Sequence, residues 1–170
     1  MAFAFYIASA VAVISTFLAI TRRNAMHALL YLNVSLLSIA LVFLLMGAYL
    51  VAALEVIIYA GAIMIFFIFV IMMLNIAEAP MTKGKGWLRP EVWAGPALLS
   101  LVLAGELIYI VAGSGMRYEL RAVPPKQVGI ALYGPYMLGV ELASLLLLAG
   151  LVGAYHLGRR GVPPPKGEEQ

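Results

Sequence analysis

The sequence contains no cysteine. That one absence removes disulfides, thiolate nucleophiles and cysteine-ligated iron–sulfur clusters together, so any redox chemistry tied to the chain belongs on other chains. Charge is scarce as well: Asp, Glu, Lys and Arg supply 11% of 170 residues, against 64% apolar residues. A soluble domain carries roughly twice that share of charge. The mean hydropathy of +1.02 therefore points to lipid as the main solvent. The net charge of +3 comes without a basic patch interleaved with aromatics, which argues against a nucleic-acid partner.

What the sequence does have is long apolar runs. A helix crossing a hydrocarbon core of about 30 Å needs roughly 20 apolar residues. Residues 2–20, 25–46, 50–74, 92–112 and 137–157 each meet that length. They predict an all-α integral membrane protein, with one five-helix membrane domain over residues 1–157 and a tail over 158–170 that is proline-rich and extended. The first run has no basic segment before it and is followed by Arg22 and Arg23, the reverse of a cleavable signal, so it is expected to be a retained span.

Basic residues in the connectors set an expected orientation. Arg22, Arg23, Lys83, Lys85, Arg89, Arg159, Arg160 and Lys166 fall on one side, while Arg117, Arg121 and Lys126 fall on the other. The richer side should be cytoplasmic, with the N-terminus outside and the C-terminal tail inside. Trp87, Trp93 and most tyrosines lie near span ends, as an interfacial belt would place them. Gly47, Ala48 and Tyr49 read as a tight hairpin between antiparallel spans. Residues 75–91, with Lys83-Gly84-Lys85-Gly86, read as a flexible basic linker. Residues 113–135, broken by Pro124-Pro125 and Pro135, read as an outer loop.

Ionisable groups inside a membrane are costly, so Glu55, Glu106 and Glu141 are candidates for function. The bland alternative is that each reaches boundary water or a loop arginine. Glu55 has the strongest claim, because helical spacing aligns Ala48, Ala52, Glu55, Tyr59, Ala62 and Phe66 on one stripe expected to face protein. Tyr59 lies about ten residues into its span, near the midplane and away from the aromatic belt. Ala60-Gly61-Ala62 follows at once. Such a cluster of small residues can host a kink, a π-bulge or a packing notch for a neighbouring helix. In the fifth span, Gly150, Gly153 and Ala154 read as a close-packing surface.

Three patches in combination resemble the subunit J family of bacterial NADH:quinone oxidoreductase, respiratory complex I. They are Asn24 to Leu32, opening the second span; Glu55 through Tyr59-Ala60-Gly61-Ala62-Ile63-Met64 to Leu74; and Glu141 to Leu148, leading through Gly153-Ala154 to Arg159-Arg160. The resemblance implies a multi-pass subunit of the bacterial inner membrane, part of a proton-translocating enzyme and without redox centres of its own. Its partners would be the quinone-site, small and antiporter-like membrane subunits. NADH, FMN, the iron–sulfur clusters and the quinone would belong to other subunits. It further implies a π-bulge near Tyr59 and Gly61 whose interconversion with α-helix connects or breaks a chain of water and carboxylates. The candidate path residues are then Tyr59, Gly61, Glu55 and Glu141, with Ala60, Ala62, Gly150 and Gly153 as packing positions. The competing reading is a purely structural subunit of the same complex or of a related hydrogenase- or antiporter-type complex.

Overall fold

The computed structural model describes residues 2–74, 90–113 and 122–159. The basic linker around Lys83, the 114–121 part of the expected outer loop, and the tail beyond Arg159 lie outside those residues. Among the described residues there are six helices: α1 (Ala2–Thr21), α2 (Ala25–Leu45), α3 (Tyr49–Leu74), α4 (Pro90–Gly113), α5 (Pro125–Tyr133) and α6 (Met137–Gly158). All but α5 are long and apolar enough to cross a membrane. The chain divides into two compact units, residues 1–124 and 125–170.

In the first unit, local chemistry fixes where the helices start and stop. Asn24 caps α2, its side-chain oxygen accepting from the Met26 N–H at 2.9 Å and the His27 N–H at 3.4 Å. The C-terminus of α2 closes at Gly47, whose φ of 79° lies in the left-handed region that glycine enters freely. The Gly47 N–H then reaches the Leu44 carbonyl and the Ala48 N–H the Phe43 carbonyl, each at 3.0 Å, and α3 begins at Tyr49. The Val123 N–H donates to the Gly47 carbonyl at 3.1 Å, tying the end of this unit back to that turn.

Helices α1 and α2 pack through small residues. Ala4, Ala8, Val11 and Ser15 are the buried stripe of α1, at the three- and four-residue spacing of one helix face. Against them lie Val34, Ser35, Ser38 and Leu41 of α2. Backbones separated by alanine and serine approach closely, and the hydroxyls use the gap: Ser38 donates to the Ala8 carbonyl at 2.6 Å and Ser35 to the Ala12 carbonyl at 3.1 Å. Leu103 and Ile110 of α4 complete the core with Ala4, Ala8, Val11, Val34 and Leu41.

In the second unit, α5 corrects the sequence reading of residues 113–135 as loop. Pro125 takes the first helical position, where a missing N–H is harmless and the fixed φ suits a helix, so the second proline starts a helix that the pair seemed to forbid. Gly134 ends it, since a Cβ there would stand 2.7 Å from the Ile130 carbonyl oxygen. A three-residue turn leads into α6, none of whose residues is buried within its unit.

Candidate functional site

Helix α3 is built in three pieces: α-helix over Tyr49–Leu54, π-helix over Glu55–Ile63 and α-helix over Met64–Leu74. The Met64 N–H reaches the Tyr59 carbonyl, five residues back, which is the spacing of a π turn. Gly61 permits the widening. A Cβ at Gly61 would lie 3.2 Å from the Val56 carbonyl oxygen, again five residues back, closer than side-chain carbons ordinarily come. Of the options the sequence left open at Ala60-Gly61-Ala62, the π segment is present.

The π register changes which residues share a face. A regular α-helix would align Ala52, Glu55, Tyr59, Ala62 and Phe66. Here Ala52 is 4% exposed and Met64 only 2%, with Glu55, Ala60 and Gly61 half-buried between them. Tyr59 is 49% exposed and Phe66 63% exposed, so neither faces this chain's own helices. Along the stripe expected from Ala48 to Phe66, burial within this chain ends at the π segment, where a five-residue turn moves later side chains out of the three- and four-residue phase. Glu55 is half-buried, while Tyr59, four residues on, is exposed.

Two further relationships escaped the sequence reading. The buried Tyr31 side chain of α2 reaches Gly95 of α4, where a Cβ would collide with its hydroxyl. The Arg22 guanidinium stands over the same ring, 5.1 Å from its centre, and lies 3.4 Å from the hydroxyl oxygen. A glycine before a proline and a tyrosine opening a span were the only available signals. The second relationship is a cleft of about 430 Å³ between α2, α3 and α4, with walls that include Leu41 and Leu44 of α2, Ala52 and Val56 of α3, and Leu103 and Leu107 of α4. Its lining is almost wholly apolar, and Val56 places it against the π segment.

Of the remaining sequence candidates, Glu106 is buried among the helices of the first unit. Glu141 is exposed on α6 in the second unit, where Gly150 and Gly153 have open space beside them. Among the described residues no three His, Asp or Glu side chains converge as a metal site requires.

The model of the NADH-ubiquinone/plastoquinone oxidoreductase chain 6 family matches residues 15–157, which include the π segment, three spans in full and all but the last residue of α6. The chain belongs to this family. Among chain 6 relatives, it is 53% identical over 164 residues to NADH-quinone oxidoreductase subunit J of Pseudomonas aeruginosa, covering 94% of this chain and 98% of that one. It is 50% identical over 160 residues to the subunit J of Escherichia coli K12, covering 94% and 87% respectively. The subunit J of Buchnera aphidicola subsp. Schizaphis graminum is 48% identical over 162 residues. As a chain 6 family member it brings no cysteine with which to ligate a cluster.

Proposed function

We propose that this chain is a membrane subunit of a proton-translocating NADH-quinone oxidoreductase, and that α3 is a two-register gate in the path that couples quinone reduction to proton movement. The π segment over Glu55–Ile63, in a chain of this family, is the observation that carries the reading. A π segment holds residues in excess of an α-helix, and each residue by which the register relaxes turns the Met64–Leu74 end by about 100°. Relaxation to α-helix restores the stripe Ala52, Glu55, Tyr59, Ala62 and Phe66. Tyr59 then swings from the exposed side toward α2, and Met64 leaves the interior. A phenol that moves between two faces near the bilayer midplane can join or break a file of water and carboxylates, with Glu55 one turn away and Glu141 a further candidate on α6.

In this reading the chain lies in the bacterial inner membrane, as one membrane domain followed by a tail, with its N-terminus outside and its basic C-terminal flank inside. Quinone-site, small and antiporter-like subunits cover the exposed faces of α3 and α6. FMN and the iron–sulfur clusters, which oxidise NADH and pass electrons to the quinone, sit on other subunits. Replacement of Gly61 by valine in the assembled complex tests the gate. Quinone reduction with weakened proton pumping supports it. Unchanged pumping with unchanged assembly favours a purely structural subunit, which also predicts that Tyr59→Phe leaves turnover intact.

A further inference from the structure

Glu106 lies on α4 between Leu103 and Ile110, at the spacing that puts all three on one face. Those neighbours pack in the cluster formed with Ala4, Ala8, Val11, Val34 and Leu41. Glu106 is 8% exposed, and both of its carboxyl oxygens are buried without a hydrogen-bond partner among the described residues. A carboxylate in a membrane interior costs several kcal/mol unless donors or a counter-charge serve it.

Ser38 donates its hydroxyl proton to the Ala8 carbonyl, Thr16 and Ser35 share the Ala12 carbonyl and each other, and Ser15, whose hydroxyl is buried without a partner among the described residues, makes no hydrogen bond to the carboxyl. A donor from a neighbouring subunit has no access, because both oxygens are already buried within this chain. Among the described residues, what remains is a proton on the carboxyl itself. We infer that Glu106 is a proton-binding site inside the α1–α2–α4 layer, occupied in the resting complex and separate from the Tyr59 and Gly61 region. It stands seven residues before the end of α4 at Gly113, about 10 Å along the axis, so boundary water at that end is the source of the exchanging proton. The inference does not rest on the gating role of α3.

Infrared difference spectra of the assembled complex, wild type minus E106Q, test it. Glutamine keeps the shape and removes only the acid, so assembly should be retained. The expected spectrum has the carbonyl stretching band of a neutral carboxylic acid, absent from E106Q and shifted in heavy water. Carboxylate bands in its place would overturn the inference, as would a difference spectrum with no carboxyl signal. A neutral-acid band that never shifts in heavy water would make Glu106 a sealed residue and would overturn it too.

Discussion

Gly61 lies against the carbonyl oxygen of Val56, five residues earlier, with only 3.2 Å between that oxygen and the place a Cβ would take. The contact belongs to the π register alone, since in an α-helix the close partner is four residues back. Side-chain bulk at Gly61 therefore presses on the π register as it stands.

Gly61→Ala should bias α3 toward the α register. In the π register the added methyl group stands 3.2 Å from the Val56 carbonyl oxygen, so that register has to give. The complex should assemble, with a lower ratio of protons pumped to NADH oxidised in reconstituted vesicles, and Gly61→Val should lower it further.

Gly95→Ala should destabilise the first unit, because the new methyl group meets the Tyr31 hydroxyl. Overpacking of this kind costs about 1–3 kcal/mol. The double variant Gly95→Ala with Tyr31→Phe removes the colliding oxygen and should recover much of the loss. Thermal unfolding of the complex in detergent, taken round the double-mutant cycle, measures the coupling.

Ser38→Ala should cost about 0.6 kcal/mol, the average for hydrogen bonds between membrane helices, despite the short 2.6 Å contact to the Ala8 carbonyl. A serine-to-leucine change at the same position should do far more damage, because Ser38 is fully buried between α1 and α2. Assembly yield on native gels separates the two outcomes.

Asn24→Ala removes the cap of α2 and should cost about 1 kcal/mol. Asn24→Ser should restore most of it, which the same unfolding assay would register.

Five spans could be read from the sequence because apolar length is a direct consequence of bilayer thickness, and their ends agree with the helices to within about two residues. Helix α5 was hidden by the paired prolines, since only the second of them sits where a helix tolerates one. At the site, Tyr59 and Gly61 stood out by depth and small size, but the faces of α3 did not. Periodicity assumes 3.6 residues per turn, so it set Tyr59 and Phe66 on one stripe with Ala52 and did not find the buried Met64. Contacts such as Tyr31 with Gly95 join residues more than sixty positions apart, and no local pattern encodes them.

The register change itself is open to direct measurement, because the chain has no native cysteine to interfere. Single cysteines placed at Met64 and at Phe66 report the two faces through their reactivity toward a lipid-soluble maleimide, compared in resting complex and during NADH oxidation. A gate predicts reciprocal change, with the thiol at position 64 gaining reactivity in turnover while the thiol at position 66 loses it. Reactivities that stay fixed at both positions in a complex that is pumping protons would contradict it.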